Sequence, residues 1–350
     1  MRTPWLYNPS LETALILLPA FLSTLAVWLL TPHFTEVTAL GWLLLVVLVD
    51  VSHVYSTLLK TYLKPGQTAE RKMLLGMMPL GIWTGGMLLY HLDVLWFWRC
   101  IAYLAVYHFI RQQYGFYRIY ARNEKTTKHI RSFDSLAIYS TAFLPVLMWH
   151  LRDDRDFYWM IKDDFLLFPQ PLLFRAVQIL FWLICFSYIF KEIVFSVRNK
   201  FFNIPKNAIW LGTALSWYTG IILLNGDLAF TLTNVLAHGI PYMALVYISE
   251  KKQQAPLEKK RGLYGYILSY RTGWVLFVLM LIVAAWTEES LWNALVWHEE
   301  DKKAVLDPAG LVSLPDLRGW WGVLVPLLIV PQVTHYLLDA YIWRIRKNEV

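Results

Sequence analysis

The chain has 350 residues, of which 57% are hydrophobic and 16% are charged, against about 45–50% and about 25% in soluble domains. A soluble fold cannot bury this much apolar surface, so the composition excludes a soluble enzyme, a disordered chain and a disulfide-rich secreted scaffold. The net charge of +7 is typical of basic cytoplasmic loops and gives no reason to expect a nucleic-acid partner. The prediction is an all-α, polytopic membrane protein whose residues 1–350 form a single integral-membrane domain.

Apolar runs predict ten transmembrane helices, because a bilayer core of about 30 Å requires roughly 20 apolar residues per crossing. The predicted spans are 11–31, 38–59, 73–91, 94–111, 134–150, 172–192, 208–224, 228–249, 263–286 and 320–343. Lys and Arg collect in every second loop, whereas Asp and Glu collect in 150–171 and 287–318. We therefore expect both termini in the cytoplasm and 287–318 as an extracytoplasmic loop, with room for a short interfacial helix. A bacterial-type inner membrane is the expected location.

Four of the nine histidines lie within predicted spans and away from their outer ends, where an ionisable side chain is costly and suggests a function. These are His53, His108, His238 and His335. Their four spans all run from outside to inside, and each histidine lies about 3 to 11 residues, or roughly 5 to 17 Å, before the cytoplasmic end. The four side chains are therefore predicted to share one layer of the bilayer and one metal site. The other five, expected to lack this role, are His33, His91, His129, His150 and His298.

Two aspartates share a helix face with these histidines. Asp50 precedes His53 by three residues and Asp339 follows His335 by four, spacings that bring side chains together. A metal-bound imidazole usually donates its other N–H to a carboxylate, so each aspartate is predicted to orient its histidine or to be a ligand itself. Imidazole with carboxylate suits one or two iron ions, with zinc as the fallback. A buried His–Asp pair can equally be structural or relay protons.

The last predicted span resembles that of the Brp/Blh family, the bacterial and archaeal integral-membrane β-carotene 15,15′-dioxygenases that make retinal. In that family a proline, a His-x-x-x-Asp motif, aromatic residues and a basic residue follow one another. The corresponding residues here are Pro331, His335, Asp339, Tyr341, Trp343 and Arg344. His108-Phe109 is similar to the start of the family's His-Phe-Gly motif, with Ile110 in place of glycine.

Two further family motifs have only partial counterparts, so the resemblance covers four short segments of the chain. The first family motif has its histidine before its aspartate, whereas here Asp50 precedes His53. The third supplies two histidines, and here Asn234 and His238 occupy the comparable span. The resemblance implies that His53, His108, His238 and His335 hold a non-haem iron.

In this interpretation the protein is an oxygenase that acts on an apolar lipid or isoprenoid, such as a carotenoid, with dioxygen as co-substrate. Asp50 and Asp339 would complete or orient the ligand set, and Tyr242 would help to position oxygen. A monooxygenase or desaturase would also need an electron donor. Two other classes stay open: a proton-coupled transporter whose histidines and aspartates relay protons, and a b-type haem protein with paired axial histidines.

Overall fold

A computed structural model of the chain describes residues 3–31, 37–155, 157–224, 226–254, 262–307 and 317–342. Within these ranges the regular structure is helical and no strand occurs, which confirms the all-α prediction. The helices are α1 (Pro9–Leu30), α2 (Ala39–Lys60), α3 (Ala69–Leu92), α4 (Val94–Ala121), α5 (Lys128–His150), α6 (Pro171–Asn199), α7 (Ile204–Tyr218), α8 (Asp227–Gln253), α9 (Leu263–Ser269), α10 (Gly273–Trp297), α11 (Glu300–Leu306), α12 (Trp321–Leu328) and α13 (Val330–Ile342).

Seven helical segments of the described chain are long and apolar enough to cross a membrane, which indicates a multi-pass membrane protein. They are α1, α2, α3, α6, α8, α10 and the stretch Arg318–Asp339 that contains α12 and most of α13. The three other predicted spans fall on α4, α5 and α7. Ten crossings and two cytoplasmic termini therefore stay predictions. His33, Trp343 and Arg344 lie outside the described residues.

Side-chain caps explain where several helices begin. The side-chain oxygens of Thr68, Thr127 and Asn203 each accept a hydrogen bond from the backbone N–H three residues later, which satisfies a donor that the first helical turn leaves open. These caps fix the starts of α3, α5 and α7. Helix α6 ends at Asn199, because the next residue, Lys200, adopts a left-handed conformation with φ of 50°.

The predicted ninth span, 263–286, is wrong in its boundaries. The apolar run contains a break between Ser269 and Gly273, and α10 begins only after it. A Cβ atom at Gly273 would lie 2.0 Å from the backbone oxygen of Ile267, so the break requires a glycine at this position. Helix α10 then continues to Trp297, well beyond the predicted end.

The predicted loop 287–318 is consequently helical over its first part. The charge of Glu288 favoured an exposed loop in the sequence-based prediction. Its side chain is instead buried and accepts hydrogen bonds from Tyr55, Trp292 and Gln332. A buried carboxylate with several donors is stable inside a helical core. The short helix α11 follows, and residues 308–316 lie outside the described ranges.

Two stretches of π-helix lie directly before two of the four histidines. Leu43–Val51 precedes His53 in α2, and Thr231–Val235 precedes His238 in α8. π-Helical turns are rare and occur frequently at functional sites, because the extra residue per turn re-aims the side chains that follow. The side chains of both histidines therefore project from their helices just after a local change of register.

The described residues of Met1–Glu36 and Val106–Pro241 group into one compact unit, called unit 1 here. Its core is aromatic, with Tyr117, Tyr188 and Phe181 at most 2% exposed. Lys206 is also fully buried, and its ammonium group lies 3.0 Å from Glu124 Oε2 and 2.6 Å from Glu192 Oε1. Pairing of this kind is what permits a charge inside a protein core.

The described residues of Val37–Ala105 and Tyr242–Val350 form the second compact unit, unit 2. Tyr242, Val246 and Leu59 lie in its core with apolar residues of α9 and α10. Glu250 is fully buried there and accepts hydrogen bonds from Lys60 and Tyr264 at 3.1 and 2.6 Å. The assignment of the whole chain to a single domain stays a prediction.

Candidate metal centre

Unit 1 contains the first pair of predicted site histidines, His108 on α4 and His238 on α8. Their Nε2 atoms lie 3.2 Å apart and their rings are nearly perpendicular, with centroids 4.9 Å apart. Phe109 stacks on the ring of His238 at 3.8 Å, which holds that ring in place. Both histidines are buried, and their two Nε2 atoms lie within hydrogen-bonding distance of each other.

A proline removes a backbone hydrogen bond near His238, and side-chain amides supply donors to the carbonyls there. Pro241 lacks an N–H, so the carbonyl of Ala237 loses its helical donor four residues later. Gln113 donates its Nε2–H to this carbonyl at 3.3 Å, and Gln112 donates to the carbonyl of His238 at 2.9 Å. The two glutamines therefore tie α4 to α8 at the level of the histidines.

Unit 2 contains the second pair, His53 on α2 and His335 on α13. Their ring centroids are again 4.9 Å apart and their planes again differ by 80°. The side chain of each histidine is almost completely buried, with 1% exposure. The two units thus each hold one histidine pair of similar geometry.

A short chain of hydroxyl groups fixes the ring of His335. Its Nδ1 lies 2.6 Å from Thr57 Oγ1, which in turn lies 3.3 Å from the hydroxyl of Tyr242. If Nδ1–H donates to Thr57, the hydroxyl of Thr57 can donate to Tyr242, and the lone pair of His335 is then on Nε2. The ring of Tyr242 also lies 5.0 Å from that of His335 and 6.0 Å from that of His53.

The four predicted histidines come together in the structure. Each offers one ring nitrogen such that these atoms all lie within 4.8 Å of one another, and all four side chains are buried. Four protonated imidazoles could not occupy so small a volume, because like charges repel at this distance. The four buried imidazoles lie at a spacing compatible with binding a metal ion.

The two aspartates lie near the histidines but outside this group of four. Asp50 Oδ1 is 3.6 Å from His53 Nδ1, which is longer than a hydrogen bond. Asp339 is buried one helical turn after His335. Their roles as ligands or as orienting partners stay predictions.

Two of the histidines that were predicted to lack this role lie against backbone carbonyls. His91 and His150 each lie 2.7–2.8 Å, through Nδ1, from the carbonyl one turn earlier in their own helices. Within the described residues, none of the other histidines joins the group of four.

Two polar residues near the site were missed from the sequence. Thr57 follows His53 by four residues, so helical spacing placed it on the same face, but a threonine alone gives no sign of a histidine partner 278 residues away. Glu288 was interpreted as a loop residue because it is charged and lies beside Glu289. Its donors come from positions far along the chain.

The comparisons with known proteins add no relative. No protein-family model, no curated protein and no solved structure matches the chain.

Proposed function

We propose that this chain is a membrane metalloenzyme in which His53, His108, His238 and His335 bind a non-haem iron ion. The observation that carries the proposal is the convergence of four buried imidazole nitrogens within 4.8 Å. Two nitrogens bound about 2.1 Å from one ion lie about 3.0–3.4 Å apart. The separation of 3.2 Å between the Nε2 atoms of His108 and His238 fits this value.

The choice of iron depends on the resemblance to the retinal-forming dioxygenases as well as on the ligands. Imidazole alone also suits zinc and copper, and a closed tetrahedral set of four ligands is typical of structural zinc. Non-haem iron with histidine ligands and open positions supplies dioxygen activation. An oxygenase with an apolar lipid or isoprenoid substrate therefore follows as the proposed class, with an electron donor if the reaction is a monooxygenation or desaturation.

The surrounding residues have defined tasks in this proposal. Thr57 holds the tautomer of His335 in which Nε2 can bind the metal, and Phe109 holds the ring of His238. Asp50 is the candidate for orienting the ring of His53, since its Oδ1 lies 3.6 Å from His53 Nδ1. The hydroxyl of Tyr242 lies 3.3 Å from Thr57 Oγ1, which contacts His335. Tyr242 is therefore the candidate for positioning oxygen.

The haem alternative is not favoured by the geometry within unit 1. Axial histidines of a b-type haem bind opposite faces of the porphyrin, so their nitrogens lie about 4 Å apart with the macrocycle between them. The Nε2 atoms of His108 and His238 are 3.2 Å apart, which leaves no room for that plane.

Metal analysis of the purified protein tests the proposal. We expect about one iron per chain and no Soret band in the visible spectrum. His108→Ala should lose most of the iron because it removes one of four ligands. The matched control His91→Ala should keep it, since His91 is outside the group of four and its Nδ1 lies 2.8 Å from the carbonyl of Met87 in its own helix.

Three results would contradict the proposal. Stoichiometric zinc in protein made in iron-rich medium would indicate a structural site. Wild-type iron content in His108→Ala would show that the histidine cluster is not the site. Protein free of any metal would favour the proton-relay alternative.

A further inference from the structure

A small cavity borders His238 on the side of α7, and it lies entirely within unit 1. It leaves about 10 Å³ for the centre of a water-sized group, which is about the room that one such group needs. Apolar side chains, among them Phe109 and Trp217, form much of its wall, and Ser216 and Asn234 supply polar groups. The lining includes no Asp, Glu, Lys or Arg, so the cavity suits a neutral group.

Two buried oxygens of the lining residues have no hydrogen-bond partner among the described residues. They are Ser216 Oγ and Asn234 Oδ1, on side chains that are 1% and 2% exposed. A buried polar atom without a partner costs about 1–3 kcal/mol. Two such atoms at one small cavity indicate that a ligand group normally bonds to them.

The orientation of the Asn234 amide is set by its neighbours. Its Nδ2 donates to the carbonyl of Phe230 at 3.2 Å and to Thr233 Oγ1 at 3.1 Å. A flipped amide would put two carbonyl oxygens against each other, so Oδ1 is the atom left over. That oxygen can only accept, and the missing partner must therefore be a donor.

We propose that this cavity binds one neutral O–H group, which donates to Asn234 Oδ1 and bonds to Ser216 Oγ. A hydrocarbon or an ether cannot satisfy Asn234, and a charged group would lack a counter-charge in the lining. The O–H group belongs either to a water molecule or to an alcohol. The O–H site itself needs no metal, whereas the assignment of an alcohol as substrate depends on the proposed function.

A stability measurement on metal-free, chelator-treated protein tests the site independently of the iron. If an O–H group is bound, Ser216→Ala removes a bond and should lower Tm by about 2 °C. Asn234→Leu, of similar shape, should also lower Tm. The double variant should fall by less than the two single shifts added together, because both side chains hold the same group.

The opposite result overturns the proposal. If no group is bound, Ser216→Ala removes an unsatisfied atom, and its Tm should stay the same or rise. Ser216→Ala decides the matter even if Asn234→Leu does not fold, since only one oxygen is removed. Ser23→Ala is the control for removing a serine hydroxyl that already has a partner, because Ser23 Oγ donates to the carbonyl of Ala20 at 3.1 Å.

A ligand arm of the experiment distinguishes the two sources of the O–H group. Farnesol and farnesyl methyl ether share an isoprenoid chain and differ in the O–H donor. A larger Tm increase with farnesol than with the ether, lost in Ser216→Ala, identifies a ligand alcohol. Equal effects of the two compounds, together with a destabilised Ser216→Ala, identify a bound water.

Discussion

In the proposed metal site, the hydroxyl of Thr57 sets the tautomer of His335. At 2.6 Å from Nδ1 it is close enough to accept the ring proton, and this leaves the lone pair on Nε2. Partners of this kind typically change metal affinity by 10–100-fold when they are removed. Thr57 is thus a positioning residue, since it acts on the proposed metal only through His335.

We expect Thr57→Val to lower metal affinity by about 10–100-fold, because the ring of His335 loses the group that holds its tautomer. Thr57→Ser keeps the hydroxyl and should bind metal almost as the native protein does. Metal titration of the two variants, with Tm measured in parallel, separates this effect from a loss of folding. Equal affinities of the valine and serine variants would contradict the assigned role.

At the scale of single elements, the start of α10 shows how one residue can set a helix boundary. The run 263–286 is interrupted by the polar residues Ser269, Arg271 and Thr272, but the predicted span continued through them, whereas the helix stops after Ser269. A steric contact explains why α10 begins with a glycine: a Cβ atom at Gly273 would lie 2.0 Å from the carbonyl oxygen of Ile267. Such a contact is not encoded in the periodicity of apolar residues.

Replacing Gly273 by alanine should therefore destabilise the protein, because the new methyl group would overlap the backbone of α9. We expect a loss of about 1–3 kcal/mol, the usual cost of forcing extra atoms into a packed region. Gly81→Ala is the matched control: no atom lies within 4 Å of a Cβ there, and alanine is the better helix former. Thermal unfolding of both variants in detergent checks this, and similar Tm values would show that the α9–α10 contact is dispensable.

At the scale of the whole molecule, the sequence was sufficient for the helical class and for the four histidines. Apolar length predicts helices at membrane depth, and an ionisable residue within such a length is conspicuous. The sequence could not give the 3.2 Å contact between His108 and His238 or the hydrogen bonds to Glu288. Those depend on how side chains from distant segments meet, which no local pattern records.

Loop charge predicts that the segments 150–171 and 250–262 lie on opposite sides of the membrane. Single cysteines introduced into each segment, after replacement of Cys100 and Cys185, should react with an impermeant reagent from opposite sides of sealed vesicles. The 250–262 cysteine should react from the cytoplasmic side. Labelling of both from one side would rule out the ten-span arrangement.

The buried Lys206 has a consequence for biogenesis. It lies near the start of α7 and is joined to Glu192, near the end of α6, at 2.6 Å. Either charge alone would be costly in hydrocarbon, and the turn between the two helices is only a few residues long. Helices α6 and α7 are therefore expected to leave the translocation machinery as a hairpin, with the ion pair already formed, rather than to partition into lipid one after the other.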